Sequence, residues 1–313
     1  MKIIFFGSSD FSMKALEACL ESGHEVVLII TTPDKKKGRG LVMQPTPVRL
    51  FAEERQLPCE MPETLKDEAL LEKIKALTPD LFVVSSYGLF IPSTWLTVPA
   101  KYALNVHPSI LPRYRGAAPI NWPILNGDSE TGVSVAEVTH RLDAGDIFHQ
   151  IRIPLDPDWD SEVLNGKLAE LSYQVVAFVL RQIGKGTELR IPQSDITSSY
   201  ARKLTKEDGH IDWSKPAEEI HRQIRGLVPW PRAYTFDQKK QILILKARCG
   251  NKTESAGKPG EIKEISKDGF IRVQTGKGHL LIDRLRPEGR KEMSGADYAN
   301  GKRLTAGYCL GQS

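Results

Sequence analysis

The chain has 313 residues, enough for two domains, and its 40% hydrophobic and 26% charged residues are ordinary for a globular protein. No apolar run approaches the roughly 18–20 residues of a membrane helix, and the opening apolar stretch stops at Phe6, too short for a secretory signal, so a cytoplasmic protein with no membrane contact is expected. Residues 1–200 carry a net charge of −5 and residues 201–313 a net +9.

A basic second half suits a polyanionic partner, because clustered Lys and Arg gain by releasing phosphate counterions. The four cysteines, Cys19, Cys59, Cys249 and Cys309, are scattered with no Cys-x-x-Cys pair and no neighbouring His cluster. That spacing argues against a disulfide framework and a zinc site.

Lys2 to Gly7 is a short apolar run that closes on Gly7-Ser8-Ser9-Asp10. Phe11, Ala15, Leu16, Cys19 and Leu20 then recur at helical spacing, with Ser9 or Asp10 available as N-cap, and the β-rich run Glu25–Ile30 follows. This is a βαβ opening. Further strands are expected at Leu81–Ser85, Ala103–Val106 and Val133–Val138, and helices near 64–77, 117–126 and 162–184. The alternation predicts an α/β domain over residues 1–188, with a Rossmann-like, doubly wound and mostly parallel sheet. Such sheets bind ligands beyond the carboxyl ends of their strands. The Gly7 turn lacks the Gly-x-Gly-x-x-Gly fingerprint, which disfavours a nicotinamide enzyme.

Periodicity lapses across residues 189–206, where Gln193-Ser194-Asp195-Ile196-Thr197-Ser198-Ser199 reads as a linker. Residues 207–313 hold one helical segment, Pro216–Gly226, and short strand-like runs at Gln241–Ala247, Gly260–Ile265, Ile271–Thr275 and Leu280–Leu285. Short strands at this spacing predict a small barrel or sandwich.

Asn105-Val106-His107 ends an apolar strand, and Pro108 stops further ladder pairing. Residues two apart on a strand share a face, so Asn105 and His107 project together, either as hydrogen-bonded core groups or as a reactive pair. Downstream, Arg141-Leu142-Asp143-Ala144-Gly145-Asp146 forms a Gly-containing loop, and spacing does not choose between Asp143 and Asp146 as a partner for the histidine. An amide, an imidazole and a carboxylate, with no obvious activated Ser or Cys, suit transfer to an amine that is itself the nucleophile. The amide can donate to an oxyanion, the imidazole can relay a proton near neutrality, and the carboxylate can orient it.

The run Asn105-Val106-His107-Pro108-Ser109-Ile110-Leu111-Pro112-Arg113-Tyr114-Arg115-Gly116-Ala117-Ala118-Pro119-Ile120 resembles the signature of the folate-dependent formyltransferases. Leu142-Asp143-Ala144-Gly145-Asp146 resembles their acidic loop, and the resemblance settles the acid on Asp143. Tyr87-Gly88-Leu89-Phe90-Ile91-Pro92 resembles the family segment whose backbone holds the pterin. The resemblance implies Asn105, His107 and Asp143 as catalytic residues and 10-formyltetrahydrofolate as formyl donor, with no metal. It further implies folate contacts from Tyr87, Gly88, Leu89, Phe90, Ile91, Ser109, Leu111, Pro112, His140 and Leu142.

Residues 31–40 are similar to the family's insertion loop, which implies tRNA contacts from Lys35, Lys36, Lys37 and Arg39. By composition alone they make a basic surface arm. Leu41-Val42 depart from the pattern, standing where relatives often carry two lysines. The segments 203–213, 229–231 and 285–293 resemble the family's OB-like carboxy-terminal barrel. This implies a tRNA-binding domain over 207–313, with Lys203 and Lys206 among the contacts. Trp213 and Trp230 could stack on bases, but core packing is the expectation for both. The implied partner is methionyl-initiator tRNA, met by a monomer. Three alternatives remain: formyl transfer to a small amine such as a ribonucleotide or amino-sugar nucleotide, hydrolysis of the formyl-folate, or RNA binding without catalysis.

Overall fold

The computed structural model describes residues 1–37, 42–250 and 257–311, so Arg39 and Leu41 lie outside the described residues. Contacts divide the chain into two compact units.

The first unit opens with β1 (Lys2–Gly7), α1 (Asp10–Glu21) and β2 (Glu25–Ile30). Ile3, Ile4, Phe5 and Phe6 are all buried, as a strand covered on both faces requires. Glycine at position 7 lets α1 approach closely, since a Cβ there would lie 2.6 Å from Phe5 Cε1 and 2.8 Å from Ser12 Cβ. Ser9 takes the N-cap position, and Ser12 Oγ ties the helix down by donating to Ser85 O at 2.5 Å.

Next, β3 (Lys35–Lys37) and β4 (Val42–Gln44) pair as an antiparallel hairpin where composition suggested only a surface arm. Helix α2 (Pro47–Glu54) starts on Thr46, whose hydroxyl accepts from Arg49 N at 3.1 Å. Then follow β5 (Cys59–Glu60), α3 (Glu68–Ala76), β6 (Leu81–Ser85), α4 (Ser93–Leu96), β7 (Tyr102–His107) and β8 (Arg115–Gly116). After α5 (Asn121–Asn126) come β9 (Glu130–Glu137), β10 (Ile147–Pro154), α6 (Ser161–Lys185) and β11 (Tyr200–Ala201).

One seven-stranded sheet runs β10-β9-β7-β6-β1-β2-β5. Its strands from β7 to β5 pair in parallel, while β9 and β10 are antiparallel, which gives the doubly wound, mostly parallel architecture. Strand β10 gave no sequence signal because it is an edge strand, with His149, Gln150 and Arg152 interrupting its apolar positions. Phe6 packs edge-on or tilted against Phe82, Tyr87 and Trp95 in the core on one face of the sheet.

The second unit comprises the chain from Lys203 onward together with Ile120–Ser129 and Leu155–Val163. Its helix α7 (Ala217–Gly226) packs on α5: Asn121 Nδ2 donates to Gly226 O at 2.7 Å and Arg222 Nε to Leu125 O at 3.3 Å. The strands are β12 (Tyr234–Asp237), β13 (Lys240–Cys249), β14 (Ile262–Ile265), β15 (Ile271–Gln274), β16 (His279–Pro287) and β17 (Met293–Ser294), followed by α8 (Gly295–Gly301). They form one antiparallel sheet, β12-β13-β16-β15-β14, with β17 on β16. The ladder between β13 and β16 shifts register on either side of Lys246, and the sheet curls into a half-barrel.

The core of this unit includes Ile211, Trp213, Ile244, Ile271, Leu280 and Ile282. Trp213 is buried as expected, its Nε1 donating to Thr235 Oγ1 at 2.9 Å. Trp230 is not: it is 49% exposed, on the connection between α7 and β12 and outside the buried face of either. Among the described residues no helix is long and apolar enough to cross a membrane. None of the four cysteines is in a disulfide, and burial pushes Cys59 up to about 11.

Candidate active site

Strand β7 is fixed from both sides, by β6 in parallel and β9 antiparallel, so its last residues have little positional freedom. Asn105 and His107 share a face of it. The loop after β9 leaves the ladder at Val138, whose N–H donates to Ala103 O at 2.7 Å, and folds back along β7. Asp143 then accepts from Asn105 Nδ2 through Oδ1 at 2.9 Å and from the Gly116 backbone N–H through Oδ2 at 2.8 Å. The same Oδ2 lies 3.7 Å from His107 Nδ1. Asp146, equally acidic in sequence, is turned away and pairs with Arg190 at 3.1 Å.

Donor and acceptor chemistry fixes the orientation of both β7 side chains. His107 Nε2 is 2.8 Å from Tyr114 O, and a carbonyl only accepts, so Nε2 carries the hydrogen. Nδ1 is therefore the nitrogen left to exchange a proton. At 3.7 Å it is too far from Asp143 for a good hydrogen bond, though the ring and the carboxylate face each other. A carboxylate likewise only accepts, so the Asn105 amide turns its NH2 toward Asp143 and keeps its second N–H for another acceptor. The His107 and Asp143 side chains are 5% and 9% exposed, which keeps these interactions out of high-dielectric water.

The frame around them is conformationally demanding. Tyr114, Gly116 and Asp143 have φ of 60°, 112° and 50°. Glycine is required at 116, because a Cβ there would lie 2.9 Å from Ala201 O, across the two-residue pairing of β8 with β11. Arg115 is 1% exposed and its Nη1 donates to Asp195 Oδ1 at 2.9 Å. Asp195 also meets Arg141 Nη2 at 2.7 Å, and the two guanidiniums, Arg115 foremost, hold its carboxyl below the usual range.

The other expected positions separate by burial. Tyr87 and Ile91 are buried in the core of the sheet, Leu111 packs with Ala136 and Ile147, and the Ser109 hydroxyl donates to Arg113 O at 2.7 Å. Tyr87 Oη is buried without a hydrogen-bond partner, and burial pushes its pKa up. These residues can offer a ligand mainly their backbone. Phe90 and Leu142 are 76% and 64% exposed, and His140 is exposed as well. Gly88 adopts a φ of 84° in the loop after β6, with Leu89 half-buried beside it and Pro112 half-buried in the 108–114 turn. Lys35, Lys203 and Lys206 are exposed, and Lys36 and Lys37 belong to β3. Among the described residues no group of three or more His, Cys, Asp or Glu is arranged to hold a metal ion.

Sequence reasoning passed over Arg115, Gly116, Tyr114 and the 193–201 stretch as parts of this site. Arg115 and Gly116 fall inside the quoted 105–120 run, but nothing in a linear pattern shows that a distant segment pairs with them.

A family model described as formyl transferase matches residues 1–180, and one described as formyl transferase, C-terminal domain, matches residues 203–303. The methionyl-tRNA formyltransferase of Geobacter metallireducens is 39% identical over 311 residues, covering 99% of each chain. In fold, the chain is similar to an N-formyltransferase from Helicobacter canadensis solved with folinic acid and dTDP-3-aminofucose. The TM-score is 0.68 at 20% identity, over 90% of this chain and 98% of that one. It is also similar to HypX from Aquifex aeolicus solved with tetrahydrofolic acid, with a TM-score of 0.63 at 18% identity over 96% of this chain and 47% of that one.

Proposed function

The chain belongs to the formyl transferase family, and from that premise we propose that it transfers the formyl group of 10-formyltetrahydrofolate to the α-amine of methionyl-initiator tRNA, acting as a cytoplasmic monomer in translation initiation. The observation that carries this reading is the meeting of Asn105, His107 and Asp143 at the end of β7.

The amine of an aminoacyl ester has a pKa of about 8 or lower, so a useful fraction is free base near neutrality. It attacks the formyl carbon, and the carbonyl oxygen becomes an oxyanion to which the second N–H of Asn105 donates. His107 Nδ1 takes the proton the amine loses, and the carboxylate of Asp143 stabilises the resulting imidazolium. As the tetrahedral adduct collapses, the bond from carbon to the folate N10 breaks and that proton passes to N10. The products are formylmethionyl-tRNA and tetrahydrofolate. Exposed Phe90 and Leu142 offer apolar surface for the pterin, alongside the backbone of residues 87–91.

We read residues 1–188 as the catalytic domain, 189–206 as the connection, and 207–313 as the tRNA-binding domain. The net +9 of residues 201–313 supports a polyanionic acceptor over a small amine. The test is mass analysis of methionyl-tRNA after incubation with enzyme and 10-formyltetrahydrofolate. Formylation only of an amino-sugar nucleotide or ribonucleotide amine would replace this reading with the small-substrate one.

A further inference from the structure

Gln193 lies in the stretch between α6 and β11, far in sequence from the strand that bears Asn105 and His107. Its Nε2 donates to the backbone carbonyl of Asp143 at 2.9 Å and to that of Gly145 at 2.7 Å. Its Oε1 accepts from Arg115 Nε at 3.1 Å and from Arg115 Nη2 at 2.9 Å. All the hydrogen-bonding positions of the amide are therefore used. The orientation admits no flip, because a guanidinium offers only donors and the two carbonyls only acceptors.

The anchor behind Gln193 is rigid. Arg115 is 1% exposed, and its Nη1 is held by Asp195, which also meets Arg141. The acidic loop is thus gripped at Arg141, Asp143 and Gly145 from Gln193 and Asp195. Asp143 has φ of 50°, a left-handed conformation that non-glycine residues keep only where their surroundings fix it. The carbonyls on either side of Ala144 converge on one amide that does so.

We propose that Gln193 is a positioning residue for formyl transfer. It clamps the loop backbone so that the Asp143 carboxylate stays where Asn105 Nδ2 and the Gly116 N–H meet it. Gln193 acts through Asp143, so the inference rests on the reading of Asp143 as one of the catalytic trio. Its loss affects turnover and leaves capture of the tRNA intact. A displacement of about 1 Å at such a group can cost on the order of 100-fold in rate.

The discriminating variant is Gln193→Glu. It keeps an acceptor for Arg115, so the buried guanidinium stays paired, but it turns a second carboxylate oxygen toward two carbonyls where two donors stood. The expected result is a kcat per folded enzyme lower by about 10–100-fold, with the KM for methionyl-tRNA close to that of the unmodified enzyme and a modestly lower Tm from the two lost hydrogen bonds. Gln193→Ala should show the same fall in kcat with a lower Tm, and if it does not fold, Gln193→Glu alone carries the test. Asp143→Asn is assayed in parallel. If Asp143→Asn is strongly impaired while Gln193→Glu retains near-normal kcat per folded enzyme, Gln193 is only a structural tie and the proposal is overturned. If Asp143→Asn itself turns over normally, the catalytic reading of the trio fails instead.

Discussion

Asn105 Nδ2 and Asp143 Oδ1 are 2.9 Å apart, and this bond decides which end of the Asn105 amide faces the carboxylate. Because the carboxylate can only accept, the amide presents N–H and not C=O. An N–H donor is thereby held in place at the end of a strand fixed on both sides, as the oxyanion role proposed for Asn105 requires.

Replacing that donor should be costly. Asn105→Asp keeps the shape but removes both N–H groups and sets two carboxylates against each other. We expect kcat to fall by about 10²–10³ or more, with the KM for methionyl-tRNA little changed. Steady-state formylation kinetics check this, and turnover within a few-fold of normal would remove Asn105 from the mechanism.

Gly116→Ala should damage the site through the backbone. A Cβ there would lie 2.9 Å from Ala201 O at a φ of 112°, so β8 must shift and withdraw its N–H from Asp143 Oδ2. The expected cost is about 1–3 kcal/mol in stability, together with loss of turnover. Urea denaturation and a single-turnover assay separate the two effects.

In the second unit, Tyr298 and Tyr308 both donate to the buried carboxylate of Asp237. Burial first, and the hydrogen bond to Asp237 next, push Tyr308 up to about 12. The ordinary value near 10 holds in the unfolded chain, so the native state binds this proton more tightly. The resulting stability is fully present below about pH 10 and is lost as pH rises toward 12. Denaturation midpoints should therefore drop steeply above pH 10, and Tyr308→Phe should make the drop shallower. An unchanged slope would show that this phenol does not govern alkaline stability.

Trp230 should matter for RNA and little for folding. It is 49% exposed and lies within residues 201–313, whose net charge is +9, and a base stacked on it is worth about 1–3 kcal/mol. Trp230→Ala is expected to weaken tRNA binding by roughly 5–100-fold with little change in Tm. Binding titrations at two salt concentrations test this. The tRNA affinity itself should fall steeply as salt rises, whereas a small substrate should show a weak slope.

Much of this protein is legible in its sequence. Continuous apolar runs such as Leu81–Ser85 and helical spacing such as Phe11–Leu20 specify buried strands and amphipathic helices, because burial and local periodicity act on neighbours in the chain. Asn105 and His107 were visible together because a strand alternates with period two. The edge strand β10 and the exposed Trp230 were not legible, since what decides them is which elements cover them.

The sequence alone determined the chemistry on offer: an amide and an imidazole on one face, an acid nearby, a basic second half and the run of residues 105–120. Tertiary structure set Asp143 beside His107 and Asp146 against Arg190. It also assigned the hydrogen on His107 to Nε2 through Tyr114 O, and brought Gln193 back onto the acidic loop from a stretch that reads as a linker. Two of those decisions join residues more than forty positions apart and the third turns on how the 108–114 turn folds back, so the partners are set by the folded backbone, not by any pattern along the chain.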